Sequence, residues 1–205
     1  MIGDIRIFER LNPEFPEKAI FFRLGGNCFK TALDQRSQLE YMRISRDIAG
    51  RCEVQGRYIV LPIEKFSGNG VEIASQFLPL GEKFCQRAGN AAFLWCGAVT
   101  IGNLPVLLRN QAADITAGTI ADAVGSECAD AAMDMLGNIA GKELRRAGLL
   151  LDERRFSPGY GDMPLALQEF FYQTLNMAQM GVTLTENNYL LPEKSVTAFA
   201  FVHRM

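Results

Sequence analysis

The stretch with the densest chemical content is Arg155-Phe156-Ser157-Pro158-Gly159-Tyr160-Gly161-Asp162-Met163-Pro164. Helix-like patterning flanks it on both sides, and its composition is that of a built loop rather than a linker. Pro158 fixes one φ angle, whereas Gly159 and Gly161 permit positive φ and close backbone approach. Arg155 offers a planar fork of donors suited to a carboxylate. Tyr160 supplies a rigid ring with a polar tip. Such a set can hold a small zwitterion against backbone N–H groups. The same residues can also be plain architecture. Arg155 can pair with Glu153 or Asp162, the proline and glycines can shape a turn, and Tyr160 can cap a core.

The elements that must position this loop follow from periodicity. Residues 5–9 alternate as a short strand, and the apolar run from Ala19 to Arg23 either pairs as a strand or packs before Gly25-Gly26 turns the chain. A helical pattern runs from Thr31 to Ile48, with Leu33, Leu39, Met42, Ile44 and Ile48 as its apolar stripe and Gly50 as its stop. Residues 52–64 and Val71–Leu78 read as two strands joined through the turn signal Ser67-Gly-Asn-Gly. No G-x-G-x-x-G or Walker pattern accompanies those glycines, so a phosphate loop is not indicated. Leu80–Ala88 reads as a short helix. Ala91–Ile101 is a long uncharged strand that expects burial on both faces. Residues 104–145 are mostly helical, and Asp122, Ser126 and Asp130 share one helix face by their four-residue spacing. Helix is expected again over Leu165–Met177, and strand over Val182–Thr185 and Ser195–Val202. His203, the single histidine, sits near a terminus expected to fray and is a poor candidate catalyst. Strands, then helices, then strands, with little βαβ alternation, indicate a single α+β domain over residues 1–205 with a mostly antiparallel sheet.

Two blocks carry a resemblance. R-F-S-P-G-Y-G-D-M-P at 155–164 and L-T-E-N-N-Y-L-L-P-E-K-S-V-T-A at 184–198 resemble the activation domain of vitamin B12-dependent methionine synthase. That domain carries R-x-x-P-G-Y, then L-T-E-S followed by P-x-x-S-V-S, in the same order and spacing. The likeness covers about the last third of the chain and extends loosely back through Ala98-Val-Thr-Ile-Gly102. It implies a single α+β domain with a curved antiparallel sheet that binds S-adenosylmethionine. It also implies a supporting part in methionine biosynthesis, in which an electron donor of flavodoxin or ferredoxin type reduces cob(II)alamin and the domain presents the sulfonium methyl for reductive methylation. The site residues it implies are Arg155 for the ligand carboxylate, Ser157 and Gly159 for the adenine edge and Tyr160 for the sulfonium or the corrin face. Thr185, Glu186, Pro192 and Ser195 support the site or touch the ligand. The family has a ligand-contacting glutamate on the long helix. Alignment of the A-D-x-h-x-x-x-x-A-[ED] pattern puts Ser126 there, with Glu127 beside it as the candidate replacement.

The chain departs from the fused enzyme elsewhere. It has no homocysteine, folate or cobalamin-carrying module, no D-x-H-x-x-G motif, and no counterpart of the acidic D-W-x-P-F-F segment. The expectation is therefore a reactivation protein that serves a separate corrinoid methyltransferase, or a methionine synthase lacking its own activation domain, rather than an independent enzyme. Two other readings stand beside it: a docking module that binds a corrinoid protein without S-adenosylmethionine, and a scaffold protein of the same fold.

Bulk properties exclude several other classes. In 205 residues, 48% hydrophobic and 21% charged, a sizeable core can form. A net charge of −2 without a basic run argues against nucleic acid. No stretch approaches the apolar length of a membrane span, and the start of the chain lacks a signal-peptide pattern. Cys28, Cys52, Cys85, Cys96 and Cys128 form no C-x-x-C pair and have one histidine for company, which disfavours a metal centre. Reduced, mostly buried thiols in a cytoplasmic protein are expected.

Overall fold

The computed structural model describes residues 2–26 and 34–205. Cys28 and the Thr31–Leu33 start of the expected helix lie outside them. The fold is α+β, built on a curved five-stranded sheet of order β1-β2-β6-β10-β7, antiparallel throughout. Its strands are β1 (Arg6–Phe8), β2 (Gln55–Pro62), β6 (Phe93–Thr100), β7 (Leu149–Leu151) and β10 (Ser195–Arg204). β6 is buried along its whole length because both faces of the sheet are covered. Gly97 is required there: a Cβ would lie 2.1 Å from the Trp95 ring, which beds on the glycine.

One face carries three helices, α1 (Glu17–Arg23), α2 (Gln35–Gly50) and the 32-residue α5 (Ile115–Arg146). α5 presents Ala121, Val124, Cys128, Ala132, Leu136 and Ala140 to Tyr58, Val60, Trp95, Val99 and Ala200. Small side chains on both sides let the helix axis approach the strands closely. The side chains of Asp34 and Asp114 cap α2 and α5 by accepting from Ser37 N and Ala117 N. α4 (Leu104–Asn110) precedes α5.

The opposite face carries α3 (Glu82–Cys85), α6 (Leu167–Thr174), a 3₁₀ turn at Met177–Met180 and a small sheet of β3 (Lys65–Ser67), β4 (Gly70–Ile73) and β5 (Gln76–Leu78). Its core is aromatic, with Phe84 stacked on Phe201 at 4.2 Å and Phe171 against Phe199 at 4.3 Å. β8 (Thr183–Leu184) and β9 (Leu190–Leu191) form a separate ribbon.

Several local expectations change in the fold. The apolar run 19–23 is helical. Val71–Leu78 is a hairpin of β4 and β5 rather than one strand, because Ala74 and Ser75 take left-handed φ of 50° and 62° and reverse the chain. The expected 80–88 helix shrinks to four residues. The 165–177 helix ends at Thr174, where left-handed Asn176 breaks it. Leu39 is 66% exposed, whereas Met42, Ser45 and Ile48 are buried. At 3.6 residues per turn Leu39 lies roughly 120° around from their midline, so the buried stripe excludes it. His203 does not fray: it pairs with Leu150 in the sheet, and its Nε2 lies 3.2 Å from Asp152 Oδ1.

Candidate functional site

The loop that follows β7 is fastened to the edge of β10. Asp152 N donates to Phe201 O, and Phe156 and Phe199 exchange backbone bonds of 2.9 and 2.8 Å. The Phe156 ring packs 4.7 Å from Phe84, anchoring the loop in the aromatic core. Beyond Phe156 the chain curls on itself. Gly159 and Gly161 adopt φ of +88° and +64°, the left-handed values that their sequence positions permit. Gly159 N donates to Met163 O and Tyr160 N to Ser157 O. Those two N–H groups therefore serve the loop's own closure and do not face a ligand, contrary to the simplest reading of the motif.

Asp162 ties the curl to α3. Its carboxylate accepts from Glu82 N at 2.7 Å and Lys83 N at 3.3 Å, capping the short helix. Desolvation pushes its carboxyl up, but the backbone donors of Lys83, Asp162 itself and Glu82 hold it below the ordinary range. A Cβ at Gly81 would come within 2.7 Å of Asp162 Oδ1, so this close approach needs glycine.

Between the curl, α3 and the first residues of β10 lies a crevice of about 580 Å³. Arg155, Ser157 and Tyr160 line it together with Lys83, Asp130 and Thr197. Gly159 sits between Pro158 and Tyr160, which both line it. Tyr160 is 75% exposed at its mouth. On the floor, Thr197 Oγ1 donates to Gln168 Oε1 at 2.7 Å, and both residues are buried. The sheet edge is open here. β7 pairs only with Val202–Arg204, and the Phe156 bridge reaches only Phe199. Backbone groups alternate sides along a strand. Since Phe199 directs its N–H and C=O toward Phe156, Thr197 directs its own the same way, past the last covering residue and toward the crevice.

Arg155 reaches across to α5. Nη2 is ion-paired with Asp134 Oδ1, and Nη1 lies 3.5 Å from Met133 O. The fork rests where α5 has no side chain, since a Cβ at Gly137 would lie 2.9 Å from Nη1. Neither Glu153 nor Asp162 is its partner. Glu127 does not line the crevice; it pairs with Arg23 of α1. The α5 acid that does line it is Asp130, whose carboxyl is raised first by desolvation and then by Glu127. It opens to solvent at the crevice mouth while sitting among enough protein atoms to lose hydration.

Asp122 and Ser126, on the helix face that leads to Asp130, bind the second motif instead. Lys194 Nζ contacts Asp122 Oδ1 at 2.7 Å and Ser126 Oγ at 2.9 Å. Arg109 Nη1 adds a bond of 3.1 Å to Asp122 and forks onto Glu193 at 2.8 and 2.9 Å. Desolvation works against the Asp122 charge, but Lys194 and Arg109 outweigh it and lower the carboxyl. Ser195 lines the crevice, yet its hydroxyl bonds Pro192 O at 2.8 Å and Thr100 Oγ1 at 3.0 Å. Thr185 closes the β8–β9 turn with Tyr189, and Glu186 is exposed on that turn. The structure thus gathers Arg155, Ser157, Tyr160 and Ser195, and leaves Gly159, Glu127, Thr185, Glu186 and Pro192 outside the crevice lining. Sequence reasoning missed Lys83, Asp162, Gln168, Lys194 and Thr197 as contributors. For Asp130 there was a usable signal, the four-residue ladder of polar residues along α5.

Among the described residues no cluster of histidine, cysteine and carboxylate side chains fits a metal ion, and no helix is long and apolar enough to cross a membrane. No family model and no curated protein matches the chain. Among solved structures, a crystal structure of the MetH reactivation domain bound to AdoHcy is similar, with a TM-score of 0.67 at 17% identity, covering 98% of this chain and 79% of that one. At that identity the likeness speaks for the fold, and it spans both faces of the sheet.

Proposed function

We propose that the crevice binds S-adenosylmethionine, and that the protein serves as the reactivation partner of a separate corrinoid-dependent methyltransferase, such as a methionine synthase without its own activation domain. The observation that carries this reading is the convergence of Arg155, Ser157 and Tyr160 on one crevice at an open strand edge, in a fold shared with an AdoHcy-bound domain. The volume of about 580 Å³ suits a ligand of this size. The donor set suits it too. Arg155 offers a fork for the carboxylate, and Asp130 an unpaired acid for the ammonium. The Thr197 backbone, directed toward the crevice at the unpaired strand edge, can pair with the adenine edge. Tyr160 sets an electron-rich face beside the sulfonium.

When bound, S-adenosylmethionine supplies a methyl group for the partner's cobalamin once a flavodoxin- or ferredoxin-like donor has reduced it. The protein's own residues bind and orient; none is asked to move a proton or form a covalent bond, in keeping with chemistry that resides in the cofactors. Calorimetric titration with S-adenosylmethionine tests the reading, alongside amide NMR of Ser157–Tyr160. Saturable heat with shifts confined to the loop and β10 supports it. No heat and no shifts at millimolar ligand would refute it. That outcome would favour the second reading, a docking module for a corrinoid protein without S-adenosylmethionine. The observation behind this alternative is that Arg155 and Glu127 already have protein partners.

A further inference from the structure

Arg155 stands with one side toward the crevice and the other on α5, and its bonds are made on the α5 side. This inference rests on the reading of the crevice as the site of a carboxylate ligand. We propose that Asp134 is an internal competitor for that carboxylate: it latches Arg155 to α5 in the free protein, and binding exchanges one carboxylate for another on the same guanidinium.

Three observations converge on it. First, Asp134 holds Nη2, the nitrogen common to both bidentate edges of a guanidinium, Nη1/Nη2 and Nε/Nη2. Nη2 offers one N–H to each edge, so Asp134 occupies one of them, and a carboxylate that docks from the crevice on that edge must displace it. Second, the resting place of the fork is built into α5. Met133 O accepts weakly from Nη1 at 3.5 Å, and Gly137 leaves the gap in which Nη1 lies. Third, the latch is weak enough to open. The Asp134 side chain is 65% exposed and that of Arg155 26%, and water screens such a pair so that it contributes little. A fully buried pair would be a lock, with an uncompensated charge left behind on opening. Asp134 does not line the crevice, so its carboxylate acts on the ligand only through Arg155. It is a positioning residue, and it makes the site selective for ligands whose carboxylate outbids it.

The test is calorimetric titration of S-adenosylhomocysteine into the wild type, Asp134→Asn, Gly137→Ala, Arg155→Ala and the Asp134→Asn/Arg155→Ala double variant. 5′-Methylthioadenosine, which lacks the amino-acid tail, is the control ligand. Asp134→Asn is expected to bind S-adenosylhomocysteine roughly two- to fivefold more tightly, the range of an exposed pair. The control ligand should bind it as it binds the wild type, and the gain should vanish without Arg155. Gly137→Ala pushes the fork off α5 by sterics alone and should shift affinity in the same direction. Weaker binding by either variant would mean that α5 presents Arg155 to the ligand, which overturns the latch. So would a gain that persists in the Arg155→Ala background. Equal affinity of wild type and Asp134→Asn would remove the latch and leave the site. Failure of every variant to bind either ligand would remove the site, and the latch with it.

Discussion

Replacing Arg155 by alanine separates a ligand-binding role from an architectural one, and its magnitude can be worked from the contacts. A hydrogen-bonded pair between the guanidinium and a ligand carboxylate contributes about 1.5–3 kcal/mol. The free wild type first gives up the Asp134 pair, an exposed interaction of about 0.2–1 kcal/mol. The net loss of affinity in Arg155→Ala is then roughly 0.5–2.8 kcal/mol, or about two- to 100-fold at 1.4 kcal/mol per decade. The cost to folding is separate and small. Only the Asp134 pair and a long bond to Met133 O are lost, so Tm should fall by less than about 4 °C in a protein of this size. Calorimetric titration with S-adenosylmethionine and a thermal melt on the same sample read both quantities. Unchanged affinity would remove Arg155 from the site. A Tm drop beyond about 10 °C would show that the guanidinium holds the fold together and that the latch arithmetic is wrong.

Three further outcomes follow from the same contacts. Arg57 is 3% exposed, and its Nη1 donates to Leu175 O, Asn176 O and Gln179 Oε1 at 3.2, 2.9 and 3.1 Å, closing the break between α6 and the 3₁₀ turn. Arg57→Met leaves the buried Leu175 carbonyl without this donor and should cost about 1–3 kcal/mol in denaturant unfolding; a loss under about 0.5 kcal/mol would contradict this. Asp162 titrates below its unfolded value, so its cap contributes fully above about pH 3.9 and is lost as pH falls through the lower folded value. The acid limb of Tm against pH should accordingly be shallower in Asp162→Asn, with the two proteins converging as the pH falls below the folded value, and parallel limbs would refute the cap. Burial pushes the Cys52 thiol up to about 11, Cys128 to about 12 and Cys96 well above its usual value. All three should resist iodoacetamide at pH 8 until guanidinium is added, and rapid native labelling followed by mass spectrometry would count against that burial.

Much of the architecture was legible because it is local. The uncharged run at 91–101 announced a strand buried on both faces, and β6 is one. The alanine-rich stretch before Arg146 announced the long helix. The hairpin at 74–75 was not legible, since neither alanine nor serine signals a left-handed turn. Leu39 misled because an approximate apolar stripe does not say which flank of it meets the core. His203 misled because nearness to a terminus says nothing of a strand partner across the sheet.

The site divides in the same way. From residue types alone came a glycine-relaxed bend that carries a guanidinium and a ring, and both glycines do take the left-handed conformation that only their lack of a Cβ makes easy. Tertiary structure alone decided what those groups face. Arg155 meets Asp134 across 21 residues of chain, Lys194 meets Asp122 across 72, and Asp162 meets the N–H of Glu82 across 80. Propensity and periodicity report on neighbours within a turn or two. Which carboxylate reaches which cation depends on how α5 lies across the sheet and where β7 stops covering β10, and packing sets both.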